Sequence, residues 1–310
     1  MLAPIVCWGE LLWDRFPEGA ALGGAPANVA WHLAMLGAPV AMATRIGDDA
    51  DGREARRRMA ARGIDTSLVQ VDPERATGEV EVTLVAGAAG PEPRYRLVPG
   101  RAWERIDADA AARAAIAAAP AVIFGTLAQR TPAGLAGWRA AMAARGATTL
   151  AICDPNLRPG VVDADADRAL AEALAIADVV KLGDAELAAC AARLGHADLV
   201  AWLLEARTPR ARLVAITRGA AGSTLCTRDG RLDVAGVAAA PGGDNVGCGD
   251  AFVAVLAHGV VAGWPLPRIG AVASRWAAAV AAARGATPSF DAATVARLRD
   301  APIADGDGAP

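Results

Sequence analysis

Short hydrophobic runs alternate along the chain with alanine-rich stretches whose apolar residues have helical spacing. The runs typical of buried strands cover residues 4–8, 40–46, 121–124, 149–153, 179–182 and 213–217. The stretches that predict helices cover residues 25–36, 52–62, 108–118, 133–145, 167–175, 184–193, 199–206 and 251–261. Because continuous apolar strands that alternate with helices need cover on both sides, this pattern predicts an α/β fold with a mostly parallel sheet between two helical layers.

One segment departs from this alternation. Residues 77–98 alternate between polar and apolar positions around a Gly-Pro break, which predicts an antiparallel hairpin with one solvated face. Such a ribbon inside an α/β chain is either an edge of the sheet or a lid over a site. The pattern alone leaves both interpretations open.

Composition narrows the class of protein. The 310 residues are 54% hydrophobic and carry a formal net charge of −3, so a nucleic-acid partner is not expected. Five cysteines without CxxC spacing indicate reduced thiols in a cytoplasmic protein. The apolar runs fall short of the roughly 18 residues of a membrane span, and the N-terminus has no basic region of the signal-peptide type. We therefore expect no membrane partner.

The strongest candidate for chemistry is the segment from Gly242 to Phe252, which reads GGDNVGCGDAF. Gly247 and Gly249 directly precede the predicted helix, where backbone N–H groups and the helix dipole favour an anion. Asp250 then has two interpretations. It is either the cap of the helix or a base that takes a proton from an attacking hydroxyl beside a bound phosphate.

Two further segments place polar groups where ligands bind. Residues 23–30 read GGAPANVA, which is neither a Walker A loop nor a GxGxxG motif. Asn28 in this segment can bind a polyol, or it simply lies in a helix-entry loop. Residues 154–158, DPNLR, follow a buried strand and so lie at the carboxyl edge of the sheet, unless they form an ordinary turn. His32, His196 and His258 lie on helical stretches and are expected to be structural.

In their order along the chain, these motifs resemble those of the PfkB/ribokinase family of carbohydrate kinases, and within it the fructokinases. GGAPANVA is similar to the first family signature, and DNVGCGDAF at 244–252 is similar to the second, D-T-x-G-A-G-D-x-F. The other matching pieces are Gly9-Glu10 with Asp14 beyond, RIGDD at 45–49 with Asp51-Gly52, DPNLR at 154–158, ITRG at 216–219 with Gly222, and RGA at 284–286.

The resemblance implies a single ribokinase-like domain over residues 1–310, a three-layer sandwich with a small β lid from about residues 11–22 and 76–104. It implies ATP-dependent phosphorylation of a sugar hydroxyl, fructose first, with Mg²⁺ as cofactor and a homodimer formed through the lid. Asp250 is the implied base, and the backbone of Gly247, Cys248 and Gly249 the anion hole. The implied sugar-binding residues are Asp14, Gly24, Asn28 and Arg158. The implied ATP-binding residues are Gly183, Glu186, Thr217, Gly219, Gly222 and Ser274.

Many family members also bind a monovalent cation beside the anion hole. The matching positions, as a K⁺ site, are Asp244, Val246, Val280, Ala283, Gly285 and Ser289. Three departures from the family pattern stand out: Asn245 replaces Thr, Cys248 replaces Ala, and Gly183 stands where the N-x-x-E motif has Asn.

Three alternatives remain open on the sequence. A kinase for 2-keto-3-deoxygluconate or another sugar acid would use Arg94, Arg96 or Arg158 to bind a carboxylate. A sugar-binding relative would have kept the fold without the chemistry. A dinucleotide-dependent oxidoreductase would need a GxGxxG after the first strand, and that motif is missing.

Overall fold

The computed structural model describes residues 2–87, 90–157, 164–206 and 211–302. The strands, in chain order, are β1 Ile5–Trp8, β2 Leu12–Phe16, β3 Gly19–Gly23, β4 Val40–Gly47, β5 Val69–Asp72, β6 Gly78–Gly87, β7 Gly90–Leu97, β8 Ala121–Phe124, β9 Leu150–Cys153, β10 Val179–Gly183, β11 Leu213–Thr217, β12 Ser223–Thr227 and β13 Gly230–Val234. The helices are α1 Ala25–Met35, α2 Ala50–Ala61, α3 Ala110–Ala118, α4 Pro132–Ala143, α5 Ala164–Ile176, α6 Asp184–Leu194, α7 Leu199–Ala201, α8 Cys248–Val261, α9 Leu266–Ala281 and α10 Ala292–Asp300.

Nine strands form the central sheet, in the order β13-β12-β11-β10-β9-β8-β1-β4-β5. The strands from β5 to β11 run parallel, and β12 and β13 add an antiparallel edge. The chain starts at an interior strand of the sheet, extends it first through β4 and β5 to one edge, and then extends it on the other side of β1 from β8 onward. A ligand site is therefore expected at the carboxyl edge of the central strands, where the direction of winding changes.

Alternation along the buried strands produces two separate hydrophobic cores. Ile5 and Cys7 of β1 face a core that also contains residues of α1, α2, α8, α9 and α10. Val6 and Trp8 face the opposite core, which contains residues of α3, α4, α5, α6 and α7. Because successive side chains of a strand point to opposite faces, one sheet supports both helical layers. The predicted three-layer arrangement is confirmed.

A second sheet of four strands, β3-β2-β6-β7, stands apart from the central one. The hairpin predicted at 77–98 is confirmed as the antiparallel pair β6 and β7, which joins β2 in parallel register. Its strands fall within the two segments expected to form the lid. The role of this sheet as a lid stays a prediction.

The Arg-Ile-Gly-Asp-Asp motif connects the second sheet to the main body. Asp49 caps α2 by accepting the N–H of Gly52 at 2.7 Å, and its other carboxylate oxygen accepts the N–H of Thr77 at 2.8 Å. The Thr77 hydroxyl in turn accepts the N–H of Gly47 at 3.0 Å. The start of β6 is therefore held to the end of β4 and the start of α2.

Some elements differ from the sequence prediction. The helix predicted at 199–206 is a short α-turn, Leu199–Ala201, followed by a π-helical turn at Trp202–Ala206. The apolar pattern did not predict β12, β13, α9 or α10. Within the described ranges, no helix is both long and apolar enough to cross a membrane.

Candidate active site

The GGAPAN segment begins α1 and is fixed by the end of β1. Gly24 is the N-cap residue with φ of 106°, and a side chain there would overlap the carbonyl of Glu10. The carboxylate of Glu10 is buried and accepts the N–H of Ala25 at 3.2 Å. Only glycine adopts this conformation without strain at such close approach. Glu10 was not among the site residues predicted from the sequence.

Asp14 of β2 lies directly beside this turn. Its carboxylate packs against the backbone of Gly23, so closely that any side chain at Gly23 would collide with it. The structure therefore brings together Asp14 and Gly24, two of the residues expected to bind sugar. Arg158, a third, lies outside the described residues.

The second signature, at residues 244–252, supplies the Asp250 carboxylate, which meets the GGAPAN segment. The N-cap of α8 is Gly247, in the left-handed conformation with φ of 78°, so Asp250 lies inside the first turn of the helix. The interpretation of Asp250 as the helix cap is therefore wrong. Its side chain is 7% exposed and accepts a hydrogen bond of 2.8 Å from the amide nitrogen of Asn28. This contact joins the GGAPAN segment to the glycine turn.

The glycine turn is supported by the loop that follows α9. A Cβ atom at Gly247 would lie 2.5 Å from the Cα of Ala286, so the two backbones touch. The carboxylate of Asp244 accepts the N–H groups of Gly285 and Val246, each at 3.0 Å, and the Asp244 N–H donates to the carbonyl of Ala283. The turn is thus held by backbone contacts on two sides.

Four of the six residues expected at a K⁺ site meet at this loop: Asp244, Val246, Ala283 and Gly285. Val280 is buried at the end of α9, where its carbonyl accepts the N–H of Ala283, and Ser289 is exposed farther along the chain. Carboxylate and main-chain oxygens are hard donors that suit such a cation. A K⁺ site stays a prediction.

The residues expected at the nucleotide lie at the next strands of the same sheet edge. Gly183 ends β10 and pairs in register with Thr217 at the end of β11. Gly219 and Gly222 form a tight turn closed by the Arg218 N–H, which donates to the carbonyl of Gly222 at 2.8 Å. Ser274 is half-buried on α9, which packs on β12 and β13. All five therefore lie on β10 or β11 or on elements that adjoin β11, β12 and β13.

Glu186 closes the loop between these strands. Its two carboxylate oxygens accept the N–H of Leu157 at 2.7 Å and the N–H of Gly183 at 2.9 Å. The first contact reaches the DPNLR segment that follows β9. Lys181, which the sequence analysis did not mark as a site residue, lies between Glu186 and Asp154, with its nitrogen 3.2 Å from an Asp154 oxygen.

Comparison with known proteins shows the family of this chain. Residues 19–293 match the sequence profile of the pfkB family carbohydrate kinases. The chain belongs to the pfkB family of carbohydrate kinases. A fructokinase of Klebsiella pneumoniae is 30% identical over 270 residues, which cover 82% of this chain and 83% of that protein.

Solved structures share the fold of this carbohydrate kinase. A sugar kinase of Pyrococcus horikoshii in complex with ATP is 26% identical with a TM-score of 0.78, over 91% of this chain and 94% of that one. A putative ribokinase II of E. coli, in complex with ATP and Mg²⁺, has a TM-score of 0.81 over 96% and 99% at 19% identity. The ribokinase-like fold expected from the motifs is confirmed.

The departures from the family pattern are each tolerated by the local structure. Burial raises the pKa of the Cys248 thiol to about 11, so it is a neutral group at physiological pH and not a nucleophile. Asn245 lies exposed in the loop before it. Gly183 offers no side chain, and its backbone N–H is the group that Glu186 binds.

His32 is a structural residue, as expected, and it also binds the loop after α9 that supports the glycine turn. It is fully buried on α1, its Nε2–H donates to the carbonyl of Ala286 at 2.9 Å, and its Nδ1 accepts the indole N–H of Trp276 at 3.3 Å. The bond from Trp276 needs the neutral ring, because a protonated Nδ1 cannot accept a hydrogen bond. Burial is the main reason that the pKa of His32 falls from 6.5 to about 4.

Acidification is therefore expected to destabilise the kinase between pH 6.5 and 4. In this range the unfolded chain binds a proton at His32 while the folded chain does not, so the free energy of unfolding falls as pH falls, and above pH 6.5 the effect is absent. At about 1.4 kcal/mol per pKa unit, the full range amounts to about 3 kcal/mol. Urea unfolding at pH 7, 6 and 5, compared with His32→Gln, isolates this contribution, since other acids titrate in both proteins. Equal pH dependence in both proteins would show that His32 contributes nothing.

Proposed function

We propose that this kinase transfers the γ-phosphoryl group of ATP to a hydroxyl of a neutral ketohexose, with fructose as the first candidate. The observation that carries the proposal is the 2.8 Å hydrogen bond between Asn28 and Asp250. This bond brings together the GGAPAN segment, which suits hydroxyl groups, and the Asp250 carboxylate at the start of α8. A sugar hydroxyl bound there lies between a base and an anion-binding turn.

The chemistry follows from these positions. Asp250 accepts the proton of the sugar hydroxyl as its oxygen bonds to the γ-phosphorus, and the bond from that phosphorus to the bridging oxygen of ADP breaks. In this proposal, the N–H groups of Gly247, Cys248 and Gly249, at the start of α8, donate to the charged oxygens of the transferring group. Asp14 and Gly24 hold and orient the sugar. The turn from Thr217 to Gly222 holds the nucleotide.

ATP as the donor is supported by the Pyrococcus horikoshii relative, whose structure contains it. Within the described residues no cluster of three or more acidic, histidine or cysteine side chains could hold a metal alone. Glu186 is one carboxylate near the residues expected to bind the nucleotide. A single carboxylate fits a Mg²⁺ ion that is bound mainly by the ATP phosphates and retains several of its waters. Such an ion would neutralise phosphate charge during transfer.

The second sheet favours a neutral sugar over a sugar acid. In register, Asp14 pairs with Val80, whereas Arg15 and Arg96 pair with Glu81. Side chains alternate between the faces of a strand, so Arg96 belongs to the face opposite Asp14. There its guanidinium binds the Glu81 carboxylate, with one bond of 2.9 Å. Arg96 is thus unsuited to bind a substrate carboxylate, and Asp14 would repel one.

We infer that this four-stranded sheet is the lid of a single kinase domain. Its Asp14 face includes the buried Leu12, Val80 and Val82, with Phe16 and Leu97 packed against them. A sheet that carries a sugar ligand beside such an apolar cluster excludes water when it closes over the site.

Fructose is expected to be phosphorylated with at least about tenfold higher kcat/KM than 2-keto-3-deoxygluconate, because one arginine clamp contributes about 1.5–3 kcal/mol and the Asp14 face lacks Arg96. ADP release across a sugar panel measures this, with Arg158→Ala compared with Arg96→Ala as the matched arginine control. Arg96→Ala is expected to leave the ranking unchanged. A preference for the sugar acid that disappears in Arg158→Ala would reject fructose and keep the kinase.

A further inference from the structure

Lys181 is the only lysine in the sequence; the other 30 of the 31 basic residues are arginines. Its side chain is also buried, with 6% of the residue exposed. A buried ammonium group is costly unless it is paired and hydrogen-bonded. Lysine provides a compact point charge that a guanidinium cannot replace. Its single use in an otherwise arginine-only chain indicates that this position requires an ammonium group.

Two carboxylates fix the ammonium group of Lys181. Its nitrogen lies 3.2 and 3.3 Å from the two carboxylate oxygens of Asp154 and 3.6 Å from an oxygen of Glu186. Glu186 is itself held by the N–H groups of Leu157 and Gly183. The cation therefore has a defined position at the carboxyl edge of β10.

The remaining side of this cation faces the glycine turn. A Cβ atom added at Gly249 would lie 3.1 Å from the Lys181 nitrogen. Because residue 249 has no side chain, the ammonium can lie directly against the first turn of α8. Asp250 follows directly. Burial acts to lower the pKa of Lys181, but the charges of Asp154, Glu186 and Asp250 outweigh it and the pKa is raised, so the group stays charged.

We propose that Lys181 is a positioning residue that places a fixed positive charge behind the anion hole, acting through Gly249 on the transferring phosphoryl group and on the orientation of Asp250. Negative charge develops on the phosphoryl oxygens in the transition state. A preorganised cation in a water-poor site is most effective at stabilising it. The inference rests on the proposed function, in which Asp250 is the base and residues 247–249 accept the phosphoryl group.

Lys181→Met alone would leave Asp154 and Glu186 facing each other and could unfold the site. The double variant Lys181→Met/Asp154→Asn avoids this. One cation and two anions give the native trio a formal charge of −1, the single variant has −2, and the double variant returns to −1. Thermal unfolding is expected to show loss of stability in the single variant and recovery in the double variant.

The proposal expects kcat of the folded double variant to stay about a hundredfold below wild type, the scale of one lost electrostatic contact, with KM for sugar and ATP within about threefold. Recovery of wild-type kcat in the double variant would show that Lys181 only neutralises Asp154, and would overturn the proposal.

The single lysine also provides a spectroscopic test on the unaltered enzyme. Lysine labelled with ¹³C at Cε gives one side-chain signal, which is expected to move when ADP with aluminium fluoride and sugar fill the site, and not with sugar alone. A signal unchanged by ADP and aluminium fluoride would reject the role. The Asp250→Asn variant separates a failure of the proposed function from a failure of the Lys181 inference. Wild-type turnover in Asp250→Asn would reject the proposed function. An inactive Asp250→Asn together with a fully active double variant would reject the Lys181 inference alone.

Discussion

Replacing Asp250 with asparagine is expected to lower kcat at neutral pH by at least about a hundredfold, the scale of a lost general base. Asparagine has the same shape, so its amide oxygen can still accept the hydrogen bond from Asn28. It cannot take a proton from the sugar hydroxyl. The loss should therefore appear in kcat, while the affinities for sugar and ATP stay close to those of the wild type.

Asp109→Asn is the matched control. Asp109 is a true N-cap, whose carboxylate accepts the N–H of Ala112 at 2.8 Å at the start of α3, in the opposite helical layer. Asparagine caps helices about as well as aspartate, so turnover should be unchanged. Steady-state kinetics with isothermal titration of each ligand measures both variants. Wild-type turnover in Asp250→Asn would mean that this carboxylate only supports the structure.

Gly247→Ala is expected to reduce kcat by about a hundredfold through displacement of the anion hole, since a shift of about 1 Å at a reacting group can have an effect of that size. The new methyl group would lie 2.5 Å from the Cα and 2.7 Å from the carbonyl oxygen of Ala286. Both are backbone atoms that the neighbouring loop holds in place. The glycine turn must therefore move.

Gly263→Ala separates this collision from the backbone cost. Gly263 has φ of 69°, close to the 78° of Gly247, but no atom lies within 4 Å of an added Cβ there among the described residues. Both variants should lose about 1–2 kcal/mol of stability from the left-handed conformation. Only Gly247→Ala should lose turnover, and equal turnover in the two would contradict the assigned anion hole.

The fold could be predicted largely from the sequence because the buried parallel strands are continuous apolar runs. β8 and β11 have the predicted bounds, and the hairpin at 77–98 was recognisable from its period of two. The edge strand β13 and its buried neighbour β12 mix polar and apolar residues and lack such a run. A resemblance that spans most of the chain supplied the candidate residues, including Asp14, which no local pattern marks.

The contacts that organise the site could not be predicted in this way. Asn28 and Asp250 are 222 residues apart, and His32 meets Ala286 across 254 residues. A hydrophobic pattern predicts that a residue is buried but not which group it meets. Glu10 and Lys181 remained unmarked for the same reason, since a charge inside the protein is explained only by partners from other elements. Only the conformation of Gly247 excluded the interpretation of Asp250 as the N-cap.

The interior position of β1, with strands added later on both sides, has a consequence for biosynthesis. α1 emerges from the ribosome early, yet the helix that covers it, α8, comes from the last quarter of the chain. At about 5–20 residues per second, the 222 residues between Asn28 and Asp250 take roughly 10–40 s to synthesise. During that time the apolar side of α1, with Val29 and Leu33, lacks its final neighbour. Nascent chains arrested before α8 should therefore be retained by chaperones, and release should coincide with completion of that helix.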